Sequence, residues 1–241
     1  MKPYLYLILC VFGLQLNAQD NLTYQQPPAE IMELVDVQMA PWVYMDHQQE
    51  NMVMLSRNMY KSIEELSQEE LRLAGLRIDP KLNIGSRVTY FSNIQIKQIK
   101  SGNIKTITGL PTKPRLANFN WSPDQTKMAF TNTTSNGVEL FVIEVKKGQL
   151  TKLTSDNLNA NMGRPMVWKP SSDGLIVKVL PEDKKPLIDK SKAVPTGPII
   201  SENAGEKAQN RTYQDLLKDA ADEFNFEQLA LSELKTVDLK G

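Results

Sequence analysis

Hydrophobic and polar positions along this chain repeat mostly every second residue, the period of a strand with one buried face. Trp42, Val43 and Tyr44 form one such run, Asp46 to Gln49 a turn, and Met52 to Leu55 the return. "VTYFSNIQIKQI" from Val88 places Ile94 and Ile96 on one face. "KSGN" then turns and "IKTITGL" runs back, which predicts a hairpin. The pattern is clearest from Leu116. "LANFNW", "KMAFTNT", "VELFVIEV" and "LTKLT" read as four consecutive antiparallel strands, separated by "SPDQ", "SNG" and "KKGQ".

That unit recurs. "PMVWKPSSDGLIVKVL", from Pro165, repeats the outline of "FNWSPDQTKMAF", from Phe119, with Trp121 and Trp168 47 positions apart. The stretch around Trp42 is a looser third copy. A repeat of about 40–50 residues with four short strands is the signature of a β-propeller blade. The fold class expected is therefore mainly β: a partial propeller of about three four-stranded antiparallel blades, with two helical insertions. Ser122-Pro123-Asp124 then reads as a turn and not as catalytic machinery, because Pro123 suits the second turn position and Asp124 can bond the backbone ahead of it. Trp121 and Trp168 are expected in blade cores.

The period shifts to a helical one in only a few places. "AEIMELV" forms a short helical turn. In "SIEELSQEELRLAGL", Ser62 with Glu65 and Ser67 with Glu70 fit reciprocal caps, and Gly75 suits a left-handed stop, so a helix is predicted over about 63–74. "TYQDLLKDAADEF" predicts another over about 212–223, capped by Thr212. The Pro-, Lys- and Gly-rich stretch before it reads as an exposed insertion. The domain map expected is a lead-in at 19–38 and an incomplete propeller over 39–241, with insertions at about 58–87 and 181–225. "FEQLALSELKTVDLKG" has the rhythm of a blade's third strand. Three blades are fewer than the four to eight of a closed ring, so the chain is expected to be the front of a longer protein or a truncated product.

Lys2 and the apolar run Tyr4–Leu16, followed by small Ala18, read as a secretory signal at 1–18 cleaved after Ala18. The run falls short of the ~20 residues of a membrane span. Export to the periplasm or the exterior is the expectation, with no span left after cleavage. Cleavage would also remove Cys10, the one cysteine of the chain, and with it any disulfide, Cys-ligated metal or Cys nucleophile. The 28 basic and 28 acidic residues cancel, which gives no electrostatic reason to expect a nucleic-acid partner. The one histidine, His47, reads as a solvated turn residue; with Asp46 and Glu50 it lacks the ligand set of a zinc site. No metal and no cofactor are expected. Asn21, Asn132 and Asn210 open glycosylation triplets, relevant only in a eukaryotic secretory route.

"LAGLRIDPKLNIGSR", then "NWSPD", then "VPTGPIISENAGEKAQNRTYQDLLKD" occur in an order that resembles the N-terminal half of secreted bacterial peptidases of the prolyl oligopeptidase family. The branch is the one that includes the glutamyl endopeptidases of plant chloroplasts. The likeness runs from about Pro27 to the end; "WSPD" is common to many propellers, whereas "LAGLRID" and "RTYQDLLKD" are more specific. The resemblance implies a propeller that covers the active site of a C-terminal α/β-hydrolase domain carrying Ser, Asp and His. This sequence has no Gly-x-Ser-x-Gly, so the hydrolase domain is absent and no catalytic residue carries over. Arg77 and Arg87 are the substrate-contact candidates, each able to pair bidentately with a peptide carboxylate; the competing reading is a salt bridge to Asp79 or a neighbouring loop. Two functions remain open. One is a propeller segment of an exported serine peptidase, gating and orienting peptides and not catalytic alone. The other is a free-standing exported binding module for a peptide, glycan or protein.

Overall fold

The computed structural model describes residues 25–35, 37–192 and 213–240, with the single positions 197, 200, 202, 205 and 207. The proposed signal, its cleavage point after Ala18, the Asn21 and Asn210 triplets and the Thr212 cap lie outside the described residues. The chain divides into two units, Met1–Gln38 and Met39–Gly241. In the first, Pro27-Pro28 leads into helix α1 (Ala29–Val35), whose opening turn bonds Ile31 N and Met32 N to Pro28 O.

The second unit opens with a hairpin of β1 (Trp42–Met45) and β2 (Asn51–Ser56). Asp46 shapes its turn: the buried carboxylate accepts Glu50 N at 2.8 Å and Asn51 N at 3.1 Å. A long excursion follows, with helix α2 (Ile63–Leu66) and a small sheet of β3 (Leu71–Leu73), β4 (Leu76–Asp79) and β5 (Ile84–Gly85). The first sheet then resumes with β6 (Asn93–Gln98) and β7 (Ile104–Thr106), in the order β1-β2-β6-β7. The second sheet is β8 (Leu116–Trp121), β9 (Lys127–Thr133), β10 (Val138–Glu144) and β11 (Gln149–Lys152), each paired antiparallel with the next. The third is β12 (Met166–Trp168), β13 (Gly174–Val179) and, beyond helix α3 (Ala220–Ala230), β14 (Glu233–Asp238). Among the described residues it has three strands where the first and second sheets have four, and β14 is an edge.

The second sheet is buried on both faces, and its side chains sort by the two-residue period of a strand. Met128, Phe130, Phe141 and Ile143 face the first sheet and pack with Val53, Leu55, Ile94 and Ile96. Ala129, Val138, Leu140 and Val142 face the third and pack with Met166, Trp168, Leu175 and Val177. Sheets stacked face to face in chain order are the packing of propeller blades. Each fully buried Leu, Ile or Phe in these layers contributes about 1.5–3 kcal/mol. A relay of rings also runs between the first two sheets, Trp42–Phe91–Phe119–Phe130–Phe141, with centroids 5.2–5.8 Å apart. Trp168 is a buried core residue whose Nε1 donates to Asn120 O at 3.1 Å, tying the third sheet to the second. Trp121 is only partly buried and packs at the margin of the other layer, a weaker core role than the repeat suggested.

Two helix expectations are corrected. Helix α2 ends after one turn, at Leu66. Its Ser62–Glu65 box forms in both directions, but Ser67 serves as the C-cap, and Glu70 is drawn away to Ser86 and three arginines. The remainder of the predicted 63–74 helix is a hairpin. Ala74 and Gly75 both take positive φ, 49° and 78°, the backbone of a tight two-residue turn, and Leu73 pairs with Leu76 across it. The later helix spans Ala220–Ala230 instead of 212–223. Asp215 has φ 56° and is not helical, whereas extended Asp219 accepts Asp222 N at 2.9 Å and supplies the cap.

Candidate functional site

The excursions leave the first and third sheets at the same place, between the second and third strands. They meet. Leu73 and Ile78 from the first form a small buried cluster with Leu229 of α3, flanked by Leu71, Leu187, Leu217 and Phe226. Polar links surround it. Gly75 N donates to Asp215 O at 3.4 Å, and Lys184 Nζ donates to Asn83 Oδ1. Asn159, buried in the loop between β11 and β12, donates from Nδ2 to Leu229 O (3.0 Å) and Leu231 O (2.8 Å), and its Oδ1 accepts Asn161 N (3.0 Å).

Arg77 and Arg87 converge here on Glu70, at 3.5 and 3.4 Å from its carboxylate, joined by Arg72 at 3.0 Å. Ser86 Oγ, donating at 2.7 Å, holds the Glu70 carboxyl below its usual range; burial opposes this, and Arg87 and Arg72 add smaller lowering effects. Arg77 on β4 also pairs with Asp215 of the second excursion, and its side chain is only 16% exposed. Its guanidinium therefore bridges two carboxylates of the chain itself. Asp79 is not among them: it accepts Lys81 N and Leu82 N at 3.0 Å each. Arg87 is the open one, 67% exposed.

Ser122 and Asp124 form the turn that the sequence suggested. Ser122 is fully buried; its Oγ lies 2.6 Å from Asp124 Oδ1 and accepts Lys127 N at 3.0 Å. Burial pushes the Asp124 carboxyl up, but hydrogen bonds from Ser122 and from Thr126, together with the Lys127 charge, outweigh it and bring the pKa down to about 2. The matching turn in the third sheet repeats the contact, Ser171 Oγ to Asp173 Oδ1 at 2.6 Å, and Ser172 Oγ accepts Asp124 N at 3.1 Å, so the two turns touch. His47 is exposed in the first hairpin turn, beside an Asp46 carboxylate whose two oxygens are taken by that turn's backbone. Asn132, which opens a glycosylation triplet, is buried with its Nδ2 donating to Glu139.

A wide cleft was not singled out by the sequence. It has a volume of about 880 Å³ and lies between the first excursion and the second sheet. Arg57 and Lys61 line one side, Lys113, Arg115, Thr133 and Glu139 the other, with Tyr90 between. Arg57 stacks on Trp42 at 5.7 Å and Arg115 on Tyr90 at 4.5 Å. Burial raises the Tyr90 phenol above its usual range, opposed by Thr133 and Arg115. Nothing local marked these residues, since they come together only when the two sheets stack.

No family model matches the chain. Two curated proteins do. It is 31% identical over 236 residues to an Arabidopsis thaliana protein named "Probable glutamyl endopeptidase, chloroplastic", and 30% identical over 232 residues to one of the same name from Oryza sativa subsp. japonica. Each match takes in 90% of this chain. These similarities support a prolyl oligopeptidase-family peptidase, of which this chain matches the N-terminal part. It spans about a quarter, 24%, of the length of those two relatives. Among solved structures, an acylaminoacyl peptidase from Pyrococcus horikoshii is 15% identical with a TM-score of 0.35, covering 68% of this chain and 20% of that one. A prolyl endopeptidase is 20% identical with a TM-score of 0.31, covering 51% and 18%. At such scores neither structure bears on the site.

Proposed function

We propose that the chain is the propeller segment of an exported serine peptidase, which admits and orients peptides for a hydrolase domain outside this sequence and is not catalytic alone. The observation that carries this reading is the stack of three blade-like sheets joined to a wide cleft, in a chain matched along 90% of its length by glutamyl endopeptidases. Inside the segment, the Ser122 hydroxyl is sealed in a turn and the one histidine is exposed on another hairpin, so neither is placed for nucleophilic catalysis. Contacts made far from the scissile bond still contribute to rate by fixing its position. Export rests on the apolar run Tyr4–Leu16 with Ala18 behind it; an exported chain would begin at Gln19 on N-terminal sequencing.

The test is binding by the full chain of fluorescent unstructured peptides of graded length, against the same sequence held inside a folded domain, with product release followed in parallel. The expected result is saturable peptide binding, little binding of the folded carrier and no hydrolysis. Hydrolysis by the chain alone, or equal binding of both forms, would refute the proposal.

A further inference from the structure

We infer that a second, smaller cleft, at the seam of the second and third sheets, holds the main chain of an extended peptide through Asn118, Asn120 and Arg164. The inference rests on the peptide reading above and adds to it the atoms that are recognised, neutral backbone amides and not side chains. The cleft has a volume of about 200 Å³ and is lined by those three residues with Phe119, Pro165 and Met166.

A β-bulge builds it. Ala117 pairs with Thr131 but Asn120 pairs with Ala129, so Asn118 and Phe119 of β8 stand opposite Phe130 alone. In a regular ladder Asn120 would lie opposite Met128, on the apolar face towards the first sheet. The extra residue turns it to the Ala129 face, towards the third sheet. Asn118 takes the left-handed backbone, φ 56°, which asparagine tolerates better than most residues. Its Nδ2 donates to Thr131 Oγ1 at 2.9 Å. Thr131 is on the Ala129 face as well, so both amides come to the seam, while Phe119 goes the other way and stacks on Phe130. Bulges recur beside binding sites because they re-aim side chains in this way.

The polar groups brought here are uncommitted. Thr131 uses one Nδ2 proton of Asn118 and leaves its Oδ1 as an acceptor. The Asn120 side chain and the Arg164 guanidinium bond to nothing among the described residues. Only the Asn120 carbonyl is taken, by Trp168 Nε1 at 3.1 Å. Buried Pro165 and Met166 fix the opposite wall. A carboxamide presents a donor and an acceptor side by side, the complement of a peptide N–H and C=O, and arginine supplies donors for a second carbonyl. The asparagine oxygens disfavour a carboxylate, which can only accept. β8 is also the terminal strand of its sheet, so the site faces an edge that an extended chain can follow.

The experiment measures affinity of the full chain for three labelled peptides of one Ser- and Thr-rich sequence: capped at both ends, capped and N-methylated at alternate amides, and with a free C-terminal carboxylate. The expected result is saturable binding of the capped peptide, about tenfold weaker after N-methylation, with no gain from the free carboxylate. Asn120→Leu and Arg164→Ala should each weaken the capped peptide by about tenfold and leave the urea unfolding midpoint where it is, because neither side chain bonds within the chain. Unchanged affinity in both variants, affinity lost only together with stability, equal binding of the N-methylated peptide, or a preference for the free carboxylate overturns the site and leaves the peptide reading standing. Failure of all three peptides to bind overturns the two together.

Discussion

Replacing Asn159 probes how firmly the second excursion is anchored to the sheets. This fully buried side chain makes three hydrogen bonds, two to the carbonyls of Leu229 and Leu231 at the end of α3 and one from Asn161 N. Each is worth about 1 kcal/mol net, and a buried partner left unsatisfied raises that toward 2, so Asn159→Ala should lose about 3–6 kcal/mol. That is a large share of the 5–15 kcal/mol typical of a folded domain. Asn159→Asp separates hydrogen bonding from volume. It keeps the shape but points acceptors at two carbonyls, so the introduced carboxyl is driven to its protonated form and its folded pKa rises above the unfolded ~3.9. Between those two values the folded state binds more protons than the unfolded, and stability rises as the pH falls. Urea unfolding followed by tryptophan fluorescence at pH 7 and pH 4.5 measures both effects. An alanine variant within about 1 kcal/mol of the wild type, or an aspartate variant indifferent to pH, would refute the anchoring argument.

Two further perturbations read out other parts of the fold. Because the Asp124 pKa is depressed from 3.8 to about 2, its contribution to stability is present above pH ~4 and lost as the pH falls through 2; Asp124→Asn should flatten the acid limb of a stability–pH curve measured by denaturant titration. Gly137→Ala should cost several kcal/mol in the same unfolding assay and open the turn before β10, because an added Cβ would lie 2.0 Å from the Asp156 carbonyl oxygen, a backbone atom that cannot swing aside.

The second sheet was legible in the sequence almost strand for strand. Its polar turns fall where the hydrophobic period breaks, and both of its faces are buried, so every residue carries signal. The stretch 63–79 misled, because Ser-x-x-Glu spacing and scattered leucines satisfy a helix locally. What decides for the hairpin is tertiary: Leu73 and Ile78 are drawn into a cluster with Leu229, about 150 positions away, and Glu70 is held by Ser86 and the arginines. The α3 start was misjudged for a similar reason. Asp215 is occupied by Arg77 and sits in a left-handed turn, leaving the cap to Asp219. Arg77 and Arg87 stood out as candidates, but not the distinction that Arg77 lies between two carboxylates of the chain while Arg87, paired with Glu70 alone, stays largely exposed. Arg57 and Arg115 left no trace in local pattern, since each only flanks a strand, and the stacking of sheets makes them a pair.

The meeting of the two excursions has a mechanical consequence. Both spring from the same seam of their own blade, and Leu82 and Ile84 of the first excursion are also buried against the second and third sheets. The Arg77–Asp215 pair and the Leu229 cluster therefore tie the outer two sheets together through their excursions, in addition to the contacts each makes with the middle one. Separating the first and third sheets would have to break this link as well as the buried layers between neighbouring sheets.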